Sequence, residues 1–187
     1  MQIINQVISK IETISKSKSN ILIAIDGVGG AGKTTLSQYI QKHFDNSVIV
    51  QLDDFYSEEL QGNDIERLKT EVLLPISKGL QAKYKVYESN TNSYSDWIFI
   101  PLNSIVIIEG VFSTDKSIRK YYDLTIWLDF NPELGLKRGV ARDIESGSVD
   151  KTEIWTNVWM PAEKQYIVDQ QPQMYVDFVI DGNAIYK

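Results

Sequence analysis

Eight residues, Gly27-Val28-Gly29-Gly30-Ala31-Gly32-Lys33-Thr34, follow the spacing G-x-x-x-x-G-K-[ST]. That spacing suits a chain of phosphates. Glycines let the backbone turn its N–H groups inward around an anion, which side chains would obstruct. A helix opening at Lys33 adds the partial positive charge of its N-terminus. In this arrangement Lys33 reaches the β and γ oxygens of a nucleoside triphosphate, and the Thr34 hydroxyl ligates Mg²⁺. Gly27, Gly29, Gly30, Ala31, Gly32, Lys33, Thr34 and Thr35 are therefore the candidate nucleotide-binding residues, with ATP and Mg²⁺ as the expected cofactors.

Two acidic positions complete the chemistry. Phosphoryl transfer depends on positioning and charge neutralisation, so a carboxylate must help hold the metal. Glu109 closes the apolar run Ile105-Val106-Ile107-Ile108 and suits that task. Asp53 follows the run Val48-Ile49-Val50-Gln51-Leu52 in the same way. It could accept the proton of an attacking hydroxyl, a contribution of ~10²–10⁴ in rate, or share the metal. Asp54 follows it directly, and alternation sends neighbouring side chains apart, so only one of the two should face the phosphates. Arg138 and Arg142 lie four apart on one helical face. They could close on transferring phosphate oxygens, or they could form a solvated face paired with Glu133, Asp143 or Glu145.

The surrounding sequence supplies elements to carry these groups. A helix over about 2–17 has Ile3, Ile4, Val7, Ile8, Ile11 and Ile14 at helical spacing, unlike a signal peptide. The run Ile21–Ile25 reads as a buried strand, and Thr34–Phe44 as the helix after the loop. Val48–Leu52 reads as a second buried strand, followed by a helix around 64–78. Lys83–Tyr87 and Trp97–Ile100 form a hairpin outside the main sheet, an insertion over about 82–101. Further strands fall at 104–108, 124–129 and 175–180, with helices at 132–144 and about 151–169. A lid spans about 133–150. Five apolar strands separated by helices give an α/β fold: a five-stranded parallel sheet with helices on both faces, in one domain over 1–187. Ligands in such sheets sit beyond the carboxyl ends of the strands, where Gly27, Asp53 and Glu109 all fall.

Composition narrows the partners. The 187 residues are 43% hydrophobic with a net charge of −6, which argues against nucleic acid. Lys137, Arg138, Arg142, Lys151 and Lys164 gather late in the chain and leave room for a small anion. No apolar run approaches membrane-spanning length. The absence of cysteine excludes disulfides and thiolate metal sites and fits a cytoplasmic protein. The single histidine, His43, reads as a surface residue. A homo-oligomer through the isoleucine-rich first helix stays open, since that helix could pack on its own sheet or on a partner.

The chain resembles the uridine kinase/phosphoribulokinase group of P-loop kinases, and most of all the short bacterial uridine kinase-like proteins. The resemblance rests on the glycine-rich loop, on Asp53-Asp54-Phe55-Tyr56, Glu71-Val72-Leu73-Leu74-Pro75 and Lys83-Tyr84-Lys85-Val86-Tyr87, and on Ile107-Ile108-Glu109-Gly110. It continues through Tyr121-Tyr122-Asp123-Leu124 and Arg138-Gly139-Val140-Ala141-Arg142-Asp143. It implies a P-loop NTPase fold and transfer of the ATP γ-phosphate to a hydroxyl, in nucleoside kinases the ribose 5′-OH. It places the base on Asp53 and substrate contacts on Tyr56, Asp64 and Tyr87. It makes Arg138 and Arg142 lid arginines and brings Asn183, in Asp181-Gly182-Asn183-Ala184-Ile185, near adenine. Two features depart from the group. The hairpin loop Ser89-Asn90-Thr91-Asn92-Ser93 lacks the pyrimidine-reading histidine, and Ile144–Val149 lacks a lid arginine. Three readings follow: a nucleoside kinase, a kinase for another small molecule such as pantothenate or a sugar, and a non-catalytic ATP-binding switch.

Overall fold

The computed structural model describes every residue except 1, 58, 59, 61, 89, 90, 92, 146–149 and 187. The chain opens with α1 (Gln2–Ser15), β1 (Ile21–Gly27), α2 (Lys33–Gln41) and β2 (Ser47–Gln51). A 3₁₀ turn, Leu52–Phe55, leads to the short antiparallel pair β3 (Tyr56–Ser57) and β4 (Gly62–Asn63). Next come α3 (Ile65–Leu68), a π-helical turn (Lys69–Leu73) and α4 (Leu74–Ser77). The hairpin region holds β5 (Ala82–Tyr84), β6 (Tyr87–Glu88), β7 (Ser93–Tyr94) and β8 (Ile98–Ile100). The chain then continues through β9 (Ile105–Glu109), β10 (Leu124–Asp129) and α5 (Pro132–Glu145). It closes with α6 (Thr152–Ile154), a second π turn (Trp155–Trp159), α7 (Met160–Gln170) and β11 (Phe178–Asp181).

The main sheet has the order β11-β10-β1-β9-β2, and every pairing in it is parallel. All of β1 and β9 is buried, as is β10 up to Asp129. Strands covered on both faces read as continuous apolar runs, which is why these three stand out in the sequence. The sheet divides two cores. One gathers Val7 and Ile11 of α1, Leu36 and Ile40 of α2, and Ile23, Ile107 and Ile126. The other gathers Leu22, Val106 and Ile108 with Phe55, Leu68, Val72 and Tyr84. The first helix therefore packs on its own sheet.

Several boundaries differ from the sequence reading. β2 lies at the sheet edge with only Val50 buried; Ile49 packs against one core, and Val48 and Val50 against the other. It stops at Gln51, and Asp53 belongs to the 3₁₀ turn beyond it. The helix expected over 64–78 and the one expected over 151–169 each contain a π turn. Each turn lies just before a proline, Pro75 or Pro161, which removes an i→i−4 donor and crowds the preceding turn. The hairpin forms two short ladders, β5 with β8 and β6 with β7, and Tyr87 belongs to the second. The last strand starts at Phe178 because Pro172–Met174 forms a 3₁₀ turn. No helix among the described residues is long and apolar enough to cross a membrane.

Candidate active site

The glycine-rich loop joins the central strand β1 to α2, so its position follows from the best-buried part of the sheet. Gly30 and Gly32 take left-handed backbone conformations, with φ of 71° and 99°, which wrap the loop at little steric expense only for glycine. Lys33 is 8% exposed, and its ammonium donates to the carbonyls of Gly27 and Val28, both at 2.9 Å. Lys33 and Thr34 open α2, and both Thr34 and Thr35 are exposed on the solvent side of the loop.

Glu109 is the last residue of β9, aligned with Ile25 of β1 and Gln51 of β2. The Thr34 hydroxyl donates to its Oε1 at 2.8 Å. Burial pushes the Glu109 carboxyl above its ordinary range; Lys33 and the Thr34 bond pull it back, Asp53 raises it and Arg142 lowers it. Four residues from three segments therefore act on one carboxylate. A hydroxyl paired with a carboxylate at the loop mouth is the hard-oxygen donor set that suits Mg²⁺, which keeps most of its waters and takes one or two protein ligands. No cluster of three or more His, Cys, Asp or Glu fit to hold a metal occurs among the described residues.

The two adjacent aspartates part company. Asp54 is half-buried and accepts from the Tyr84 hydroxyl at 3.2 Å; burial raises its pKa. Asp53 is exposed, with the Asn63 amide 3.5 Å from its Oδ1. The 3₁₀ turn, rather than strand alternation, separates them. Beside Asp53, Tyr56, Tyr87 and Tyr94 form a chain of rings with centroids 6.2 and 5.6 Å apart. Asp64 caps α3, its Oδ1 accepting from the Arg67 amide at 2.9 Å. One of its oxygens thus already has a structural task that the sequence reading did not include.

In α5, Arg142 is exposed and pairs with Asp143 at 3.0 Å, one of the partners the sequence offered, while still acting on Glu109. The Arg138 guanidinium lies 4.2 Å from the centroid of the Phe130 ring. Asn183 is exposed, and both its amide N–H and its side chain donate to Asp181. Its neighbour Gly182 abuts the loop: a Cβ there would lie 2.8 Å from the Ala31 carbonyl. Residues 89, 90 and 92 of the polar hairpin loop and 146–149 of the lid fall outside the described residues.

Some groups at the site give little sign of their role in sequence. Asp26, fully buried, accepts from the amides of Gly27, Phe112 and Thr114 and from the hydroxyls of Thr114 and Tyr166. Glu163 of α7 accepts from the Gly29 amide at 3.1 Å. The Trp155 indole fills the space between Gly29 and Gly139 and donates to Asp143 at 3.0 Å. An acid ending the apolar run Ile21–Ile25 was the one visible hint.

A parallel sheet with the glycine loop after its central strand, a Lys-Thr pair and an opposing strand-tip carboxylate define a P-loop kinase fold. The model of the phosphoribulokinase/uridine kinase family matches residues 53–182, beginning at Asp53. The chain belongs to that family and is a small-molecule kinase. It is 29% identical over 186 aligned positions to a uridine kinase of Clostridium tetani, covering 88% of each chain. It is 28% identical over 181 positions to a uridine kinase of Streptococcus uberis, covering 86% of this chain and 85% of that one. Its fold is similar to the solved structure of a possible uridine kinase from Bacillus stearothermophilus, with a TM-score of 0.65 and 20% identity. That match spans 94% of this chain and 100% of the other.

Proposed function

We propose that this protein transfers the γ-phosphate of ATP to the 5′-hydroxyl of a nucleoside of the uridine or cytidine kind. The carrying observation is the convergence of Lys33, Thr34, Asp53 and Arg142 on the Glu109 carboxylate. The relatives named uridine kinase support the nucleoside.

In this reading the loop Gly27–Thr35 cradles the phosphates, with its Gly27 and Gly29 amides held by Asp26 and Glu163, and Asn183 lies beside the adenine. Thr34 and Glu109, with Asp53 as a further ligand, would hold Mg²⁺. The metal, when bound, neutralises phosphate charge. Lys33 leaves its loop carbonyls for the β and γ oxygens. Asp53, exposed where Asp54 is engaged by Tyr84, takes the acceptor's proton as its oxygen bonds the γ-phosphorus and the bond from that phosphorus to the β,γ-bridging oxygen breaks, releasing ADP. Arg138 and Arg142 supply positive charge from the lid side. Tyr56 and Tyr87 present ring faces to the acceptor, and the second oxygen of Asp64 serves its sugar.

The test is ADP release with Mg-ATP and an acceptor panel of uridine, cytidine, purine nucleosides, pantothenate and sugars. Stimulation by uridine or cytidine supports the reading. Stimulation by pantothenate or a sugar alone moves the acceptor to another class. Tight ATP binding with no acceptor-dependent turnover makes the protein a nucleotide-responsive binding module instead.

A further inference from the structure

Helix α7 turns a polar face inward. Its two buried residues are Glu163 and Tyr166, three apart, and both end on the strand-to-loop junction of the nucleotide site. The Tyr166 hydroxyl donates at 2.7 Å to Asp26, the residue before Gly27. The Glu163 carboxylate, on a residue only 7% exposed, accepts from the Gly29 amide at 3.1 Å. A buried carboxylate is expensive unless partnered. Burial does push the Glu163 pKa up, with Lys33 and then the Gly29 amide pulling it back and Asp26 raising it. Trp155 covers the same spot, since a Cβ on Gly29 would fall 2.4 Å from its ring and 3.1 Å from Glu163 Oε1. The Gly29 peptide is thus held by an acid and roofed by an indole, both contributed from more than a hundred residues away.

We infer that Glu163 is a positioning residue of the phosphoryl-transfer site: its carboxylate oxygen fixes the Gly29 peptide and so presets the loop that receives the triphosphate. The inference rests on the kinase reading of that loop. Glu163 touches none of the reacting atoms and acts through the backbone it holds. Because its contact is a charge-assisted hydrogen bond in a dry setting, removing it should weaken nucleotide binding about ten- to a hundredfold.

Two variants of similar volume test this. Glu163→Gln keeps an acceptor oxygen for the Gly29 amide, while Glu163→Met fills the space and offers none. Calorimetry with an unreactive ATP analogue and Mg²⁺ gives the affinity, thermal unfolding gives the stability, and hydrogen exchange at the Gly29 amide reads the bond without nucleotide. The expected result is affinity and exchange within about threefold of wild type for the Gln variant. The Met variant should exchange faster at Gly29 and bind ten- to a hundredfold more weakly, even if it melts no lower. Unchanged affinity and exchange in the Met variant would make Glu163 a packing residue and overturn the inference. A Gln variant as impaired as Met would do the same, by showing that the bond is not what matters. A wild type that binds no magnesium nucleotide would overturn the kinase reading and this inference together, and that is known before any variant is made.

Discussion

Replacing Gly135 with alanine separates local helix energetics from the geometry of the nucleotide site. In an exposed helix interior this change stabilises by roughly 0.8–1 kcal/mol, or a rise in Tm of about 2–4 °C at this chain length. Gly135 is buried in α5, and its Cβ would lie 2.2 Å from the Gly29 carbonyl oxygen. Ordinary contact needs about 1 Å more than that. The obstacle is backbone rather than a mobile side chain, and Gly29 cannot retreat because Trp155 and Glu163 lie against it. The approach is reciprocal, for a Cβ on Gly30 would fall 2.3 Å from the Gly135 carbonyl. Overpacking of this kind costs about 1–3 kcal/mol. Set against the helix gain, the net effect runs from about zero to 2 kcal/mol of destabilisation. A loop displaced by about 1 Å should also lose on the order of 10²-fold in kcat/KM. Differential scanning calorimetry and steady-state ADP release measure the two effects, with Lys137→Ala on the exposed face of the same helix as control. A Tm that rises by 2–4 °C with turnover intact would show that α5 does not set the loop.

Other perturbations address single groups. Asp53→Asn should abolish acceptor-dependent ADP release, a loss of ~10²–10⁴, while leaving affinity for an ATP analogue within a few fold. Equal loss from Asp54→Asn alone would mean that the wrong carboxylate has been assigned. Asp26→Asn turns an NH₂ group toward donors that need an acceptor, and should destabilise by about 1–3 kcal/mol, lowering Tm by about 2–12 °C; a shift under 2 °C would refute it. Asp143 offers a pH test. Burial raises its pKa, but the Trp155 indole and Arg142 outweigh that and hold it below the usual value. Its folded pKa is depressed, so its stabilisation is present above the unfolded value of 3.8 and is lost as pH falls through the folded one. The Tm gap between wild type and Asp143→Asn should therefore be open at pH 6 and close in strong acid. A gap independent of pH would count against the linkage.

What the sequence discloses here tracks how local the physics is. The loop is legible because its task fixes glycine, lysine and threonine at set intervals within eight residues. Glu109 is legible because a carboxylate at the tip of a fully buried strand has few other reasons to be there. Edge position is not local: β2 carries Val48, Ile49 and Val50 like an interior strand, and only its pairing with β9 alone reveals the edge. The π turns required knowing that Pro75 and Pro161 sit inside continuing helices rather than ending them. Glu163 and Tyr166 stayed hidden because the inward face of α7 is polar, so apolar periodicity points elsewhere. Trp155 reads as generic core until Gly29 and Gly139 are seen on either side of it.

The two cores have a consequence for how such a chain can be re-purposed. Alternation along β9 sends Ile105 and Ile107 to the compartment shared with α1 and α2, and Val106 and Ile108 to the one shared with Phe55, Leu68 and the hairpin's Tyr84. The glycine-rich loop is braced by the first compartment through Val28 and Ala31, and the turn that carries Asp53 by the second through Leu52 and Phe55. Residues on the second side can be exchanged wholesale, with compensation among themselves, while the triphosphate end keeps its foundations. A new acceptor can then be taken on by re-tailoring one half of the molecule around an unchanged engine.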